Sequence, residues 1–358
     1  MNLNVKFDGL ELENPLMPAS GPLVGDLEKL NFMQTQGVGA VVTKTISKVA
    51  AKVPRPCIYG DKYFVMNSEL WSEYPSEVWL EEILPSFTKK QGQPLIISVG
   101  YTKDDMTMLI PLLEPFADGF EISTHYVGKD ISVIQETVRE IRRHTKKPLY
   151  MKVSPHIPDP VAFARAVREA GASGIVAINS LGPTLKIDIV RKEIIYGGSS
   201  GFVWTSGPAI KNLALATVYT IKQAMPDFTV IGVGGIASAE DVIEFHLAGA
   251  SAVQMLSAAM LKGKDLYAKI IADLPVALEK HGFSSIQEVI DTQLEQHLSY
   301  IPRTLNVDTH KCTKCMLCKK ICPYFAISFE EQITFNHDKC FGCELCVSKC
   351  PVKAIYTT

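Results

Sequence analysis

Short apolar runs recur along the first three-quarters of the chain, and longer amphipathic stretches separate most of them. The runs are LMPAS (16–20), AVVTK (40–44), LIISVG (95–100), GFEIST (119–124), LYMKVS (149–154), GIVAIN (174–179), TVIGVGG (229–235) and AVQMLS (252–257). Short apolar runs of this length read as strands. Between them, segments such as DISVIQETVREIRRH and DPVAFARAVREAGAS read as helices. Eight strands alternating with helices predict an α/β chain closed into a (β/α)8 barrel. An open doubly wound sheet is the alternative. No G-x-G-x-x-G opens a helix after a strand, so a Rossmann dinucleotide site is not expected.

Two stretches break the rhythm, residues 45 to 94 and 181 to 205. Both follow strands and should overhang the C-terminal face, where barrels build their sites. Polar residues stand at the same strand ends: Ser20, Lys44, Ser98, Ser123, Lys152, Asn179 and Ser257. Lys152 lies inside LYMKVS, where a lone ammonium would be expensive to bury, so a buried partner is expected. After the seventh strand, GVGGIASAED offers Gly234 and Gly235 for close backbone approach, and Ser238 as the cap of the next helix. With AVQMLSAAM after the eighth strand, this loop is placed to cradle a phosphate.

The last 50 residues hold eight of the nine cysteines. Cys312, Cys315, Cys318 and Cys322-Pro323 give C-x2-C-x2-C-x3-C-P, and Cys340, Cys343, Cys346 and Cys350-Pro351 repeat it. This is the bacterial-ferredoxin spacing for two [4Fe-4S] clusters, in which the fourth cysteine serves the other cluster. One set is then Cys312, Cys315, Cys318 and Cys350; the other is Cys340, Cys343, Cys346 and Cys322. Structural zinc is the competing use of C-x2-C, although zinc sites usually pair two such cysteines with two distant ligands. Residues 303 to 358 carry eight Lys or Arg against five Asp or Glu, an excess of +3 that would offset thiolate-ligated clusters or simply face solvent. The expected division is a barrel over residues 1 to 300 and a small α+β ferredoxin-like domain over residues 303 to 358.

Overall composition narrows the class further. At 358 residues, 47% hydrophobic and with a net charge of -2, the chain can bury one large core plus a small one, and it carries no nucleic-acid footprint. No secretory h-region opens it and no apolar run reaches membrane-spanning length, so a cytoplasmic protein is expected. Lone Cys57, in VPRPCIYG, reads as a packed free thiol; over a cofactor it could serve as an acid.

NPLMPASG, AVVTKT, VPRP, MNS, LIISVG, KVSP, INS, TSGPAIK and GVGGIASAEDVIE, in this order, resemble FMN-binding dihydroorotate dehydrogenase barrels. With the cysteine-rich tail, the whole resembles the catalytic half of dihydropyrimidine dehydrogenase. The resemblance implies an FMN-dependent oxidoreductase acting on a CH–CH or C=C bond of a pyrimidine-like substrate. It places Lys44 and Lys152 beside the flavin ring. Ala19, Ser20, Thr45, Ser98, Ser206 and Gly207 would line the flavin, and Gly234, Gly235 and Ser257 would hold its phosphate. Asn67, Ser123, Asn179 and Ser180 would meet the substrate.

One loop departs from the family pattern. Where the family reads roughly E-L-N-L-S-C-P-N, this chain reads EISTHYVGKD. Ser123 replaces an asparagine, no cysteine is near, and His125 and Tyr126 occupy the positions expected of the acid or base. Either could exchange the proton that accompanies hydride transfer, with His156 as a third candidate. The substrate therefore stays open between a pyrimidine and another activated alkene or heterocycle, as does a non-catalytic electron-transfer role. Electrons would pass between FMN, two [4Fe-4S] clusters and an external carrier, either a ferredoxin or a flavoprotein subunit that binds NAD(P)H. Homo-oligomerisation also stays open.

Overall fold

A computed structural model describes residues 1–100, 102–123, 130–296 and 300–357. The chain divides into two compact units, Met1–Leu294 and Glu295–Thr358.

In the first unit each of the eight apolar runs forms a strand. They are β1 (Leu16–Pro18), β2 (Val41–Val42), β3 (Leu95–Val99), β4 (Gly119–Ile122), β5 (Leu149–Val153), β6 (Gly174–Ala177), β7 (Thr229–Val233) and β8 (Ala252–Met255). Every residue in these strands is buried, which is why they lack the alternation of a half-exposed sheet. Their order is β1-β8-β7-β6-β5-β4-β3-β2, with every ladder parallel. The result is a nearly closed (β/α)8 barrel.

Helices follow the strands and start at polar caps. Asp159 accepts from Val161 and Ala162 N–H ahead of helix Pro160–Glu169, and Ser238 accepts from Asp241 N–H ahead of helix Ala239–Leu247. An N-terminal hairpin, Val5–Phe7 with Leu10–Leu12, packs Phe7 edge-on to Tyr150 of β5, ring centres 6.1 Å apart. It adds apolar cover to the barrel core.

The two irregular stretches join each other. Strands Leu181–Thr184, Val203–Ser206, Val65–Asn67 and Ile58–Gly60 form a four-stranded antiparallel sheet in that order. Its central register sets Trp204 against Asn67 and Ser206 against Val65. What reads in the sequence as two separate overhangs is one added sheet.

The second unit repeats itself. Helix Leu317–Ile321 and helix Leu345–Lys349 each begin behind a residue in the left-handed region, Met316 (φ 63°) and Glu344 (φ 55°). Two short antiparallel pairs complete it, Leu305–Val307 with Ile355–Thr357 and Ile327–Phe329 with Ile333–Phe335. Cys318 and Cys346 are buried with Leu305, Ile327, Ile333 and Ile355 in a core of its own.

Candidate functional site

The C-terminal ends of the barrel strands and the added sheet line a cleft that opens to solvent. Ala19 and Ser20 enter it from beyond β1, Lys44 and Thr45 from beyond β2, Ser123 from beyond β4 and Lys152 from β5. Asn179 and Ser180 follow β6, Gly234 and Gly235 follow β7, and Ser257 follows β8. Asn67, Ser206 and Gly207 reach it from the added sheet. Residues chosen from scattered motifs thus meet at one wall.

Ser98 is the exception. It is fully buried behind the cleft, and its Oγ stands 3.0 Å from Thr45 Oγ1, which in turn stands 3.0 Å from Ser20 Oγ. It supports two lining hydroxyls and does not line the cleft itself. His125 and Tyr126 lie outside the described residues. His156 Nε2 accepts from Gly182 N–H at 3.3 Å, so this ring is committed to a backbone contact. Cys57 is not among the residues lining the cleft; burial raises its thiol above the ordinary range.

Three acidic or amide side chains that the motifs did not single out complete the site. The first is Glu121, fully buried on β4, which meets Lys152 Nζ at 3.0 Å and accepts from Gln254 Nε2 at 2.7 Å. It is the buried partner that Lys152 requires. Register explains the meeting: β4 sets Glu121 against Tyr150 of β5, so Lys152 lies two residues on, on the same face. The second is Gln254 of β8, whose Oε1 is buried without a hydrogen-bond partner in the cleft wall.

Glu69 is the third. With Glu73 it encloses the Lys44 ammonium: Nζ lies 2.7 and 2.9 Å from the two Glu73 oxygens and 3.3 Å from Glu69 Oε1. The Lys44 side chain is 3% exposed, whereas Glu69 itself faces the cleft. Burial holds the Glu69 carboxyl above the usual carboxylate range, although Lys44 pulls it the other way.

One end of the cleft suits a phosphate. Gly234 and Gly235 adopt φ of +132° and +79°, and Ser206 Oγ and Ser257 Oγ stand 2.7 Å apart beside them. A Cβ on Gly235 would fall 2.6 Å from Lys211 Cβ, so the loop has no room for a side chain there. Together with the orphaned Gln254 oxygen and the Lys152 ammonium, this wall fits a flat, polar-edged cofactor with a phosphate tail.

The cysteines sort into two cavities of the C-terminal unit. Cys312, Cys315, Cys318 and Cys350 line one; Cys322, Cys340, Cys343 and Cys346 line another. In each, three cysteines of one repeat meet the fourth of the other, the crossed grouping that the spacing predicts.

Comparison with known proteins agrees with this layout. A dihydroorotate dehydrogenase family model matches residues 2–278, and a 4Fe-4S dicluster domain model matches residues 305–357. The chain belongs to the dihydroorotate dehydrogenase family. It is an FMN-dependent oxidoreductase of the CH–CH class with a C-terminal 4Fe-4S ferredoxin domain. Among its relatives is the catalytic subunit of dihydroorotate dehydrogenase B (NAD(+)) from Pyrococcus horikoshii, 35% identical over 305 residues that cover 82% of this chain and 98% of the relative. The subunits of the same name from Pyrococcus abyssi and Geotalea daltonii are each 33% identical, covering 82% and 81% of this chain and 99% and 97% of themselves. These relatives are matched almost end to end. What remains of this dihydroorotate dehydrogenase family member is a share about equal to its C-terminal unit. Among the described residues no helix is long and apolar enough to cross a membrane.

Proposed function

We propose that the protein oxidises a CH–CH bond, or reduces a C=C bond, in a pyrimidine-like ring and exchanges the electrons with an external carrier through two [4Fe-4S] clusters. The observation that carries this reading is the cleft that gathers the flavin-type and substrate-type residues of seven strands and the added sheet. Bound FMN supplies the hydride acceptor or donor and the change from two-electron to one-electron transfer.

The residues of this chain divide the remaining work. Gly234, Gly235, Ser206 and Ser257 hold the phosphate, and Ala19, Ser20, Thr45 and Gly207 line the ring system. Lys152, held in place by Glu121, sets a cation beside the flavin where negative charge develops. Asn67, Ser123, Asn179 and Ser180 position the substrate. The proton lost or gained at the substrate carbon is exchanged with His125 or Tyr126. Lys44 closes the substrate end together with Glu69.

Cys312, Cys315, Cys318 and Cys350 hold one cluster, and Cys322, Cys340, Cys343 and Cys346 the other. A ferredoxin, or a flavoprotein subunit that handles NAD(P)H, completes the route. The names of the relatives, which pair NAD(+) with a catalytic subunit, support the second.

Anaerobic purification and reconstitution test the reading. One FMN and about eight irons per chain are expected, with the flavin bleaching when a dihydropyrimidine is added. A colourless protein that takes up neither cofactor would overturn it.

Gly235→Ala isolates the phosphate cradle. An alanine at positive φ is strained by about 1–2 kcal/mol, and the contact with Lys211 adds to this. Lys211 cannot retreat easily, since its ammonium is held at 2.6 Å by both Asp241 and Glu244. FMN retention, followed by flavin fluorescence on dilution, is expected to weaken by about ten-fold, with the iron content unchanged.

A further inference from the structure

Resting on the two-cluster reading above, we infer that the clusters are unequal electron carriers and that Glu344 sets the difference. The cluster of Cys312, Cys315, Cys318 and Cys350 takes its electron first. The inference comes from comparing the two halves of the C-terminal unit position by position. Cys340 follows Cys312 by 28 residues, and the same offset relates the rest of the two repeats. It carries Leu305 onto Ile333 and Ile327 onto Ile355, and all four of these aliphatic residues line the cavities. Each half is therefore a control for the other.

The potential of an iron–sulfur cluster follows hydrogen bonds to its sulfurs, solvent exposure and nearby charge. The first two are matched here. Ala354 N–H donates to Cys350 Sγ at 3.2 Å, and Ala326 N–H donates to Cys322 Sγ at 3.4 Å. Cys318 and Cys346 are buried alike. Charge is not matched. Glu344 lines the cavity of Cys340, and its equivalent in the cavity of Cys312 is Met316. Among the described residues, Glu344 is the one charged side chain that lines either cavity. Arg303 pairs with it at 3.0 Å, but that guanidinium is 62% exposed, where water screens the pair.

The loops extend the contrast. Between its first and last cysteines the first repeat carries Lys314, Lys319 and Lys320 and no acid, whereas the second carries Glu344 and Lys349. Lys314 shares a neighbouring hollow with Glu331, which offsets it. Lys319 and Lys320 stand where the second repeat has Val347 and Ser348. Both are exposed, so the larger share of the difference falls to Glu344. Reduction adds one electron to a cluster and makes or breaks no bond. A carboxylate at the cavity wall opposes that added charge.

The holoprotein is reconstituted without air, and its iron content and bleaching by dithionite are measured first. Fewer than about eight irons would take down the two-cluster reading, and the inference with it. Redox titration with dithionite, followed by EPR, is then expected to show two one-electron steps. They should lie apart by at least ten-fold in equilibrium constant, about 59 mV. Glu344→Met should raise the lower step alone and draw the two together. Met316→Glu should lower the upper step alone. Both exchanges are compatible with the backbone, because Met316 and Glu344 already share the left-handed region at φ 63° and 55°. Glu344→Asp keeps the charge and should keep the separation. Should Glu344→Met lose iron, Glu344→Gln and Met316→Glu carry the same test. A single step for both clusters in the fully loaded, unaltered protein would overturn the inference. So would a separation that discharging Glu344 leaves unchanged.

Discussion

Replacing Cys318 with serine is expected to halve the iron content and to slow turnover with an external one-electron acceptor by about 100-fold or more. Reduction of the flavin by substrate should persist. Losing even an outer partner of a metal site typically costs 10–100-fold, and Cys318 is proposed above as a direct ligand. It is buried in the cavity it shares with Cys312, Cys315 and Cys350, where a serine hydroxyl is a poor substitute for a thiolate. The C-terminal unit should loosen as well. A unit of roughly 60 residues seldom stands on an apolar core alone, and the core here is four aliphatic side chains around Cys318 and Cys346. Cluster binding would therefore contribute directly to folding. Iron analysis, flavin bleaching in single turnover and steady-state rates with a ferredoxin-like acceptor separate these effects. Unchanged acceptor turnover at half the iron would remove this unit from the electron route.

The barrel is legible in the sequence because burial on both faces writes itself as an uninterrupted apolar run. LIISV and TVIGV need no knowledge of their neighbours to be read as strands. The added sheet has no such signature. Its strands are three or four residues long and only partly buried, and their pairing joins Ser206 to Val65, 141 residues apart. Nothing local announces such a partner.

The site divides along the same line. Lys152 advertises a buried partner because an ammonium stands within an apolar run. Glu121, in GFEI, carries the matching anomaly and could have been paired with it from the strand alternation. Glu69 and Glu73 carry no anomaly: they lie in a polar insertion where carboxylates are commonplace, and only the folded chain shows that both converge on Lys44. The spacing of the cysteines proposes which fourth residue would cross over, and the two cavities of the C-terminal unit group the cysteines in the same way. Ser98 misleads for a geometric reason: it sits within β3, one position short of the strand's last residue, and the depth at which a strand meets the cleft is not written in its polarity.

Lys152→Met is expected to lower the stability of the barrel by about 3–5 kcal/mol and, in whatever protein remains folded, to slow flavin reduction by about 100-fold or more. The two effects have different origins. Stability falls because Glu121, fully buried, loses its cation and, among the described residues, keeps the Gln254 amide as its side-chain partner. Flavin reduction should slow because the cation proposed to stand beside the ring system on this wall is gone. Adding Glu121→Gln to the same protein separates them. The second change discharges the orphaned carboxylate, and the new amide oxygen can still accept from Gln254 Nε2. Replacing both members of a buried pair is often close to neutral, whereas removing one is not, so the urea midpoint of the double variant should return most of the way to that of the unaltered protein. Its rate of flavin reduction should not return, because the ammonium is still missing. Recovery of both would make Lys152 a structural counter-ion to Glu121 with no part in the chemistry. Recovery of stability alone assigns the cation to the reduced flavin and leaves Glu121 the task of holding it in place.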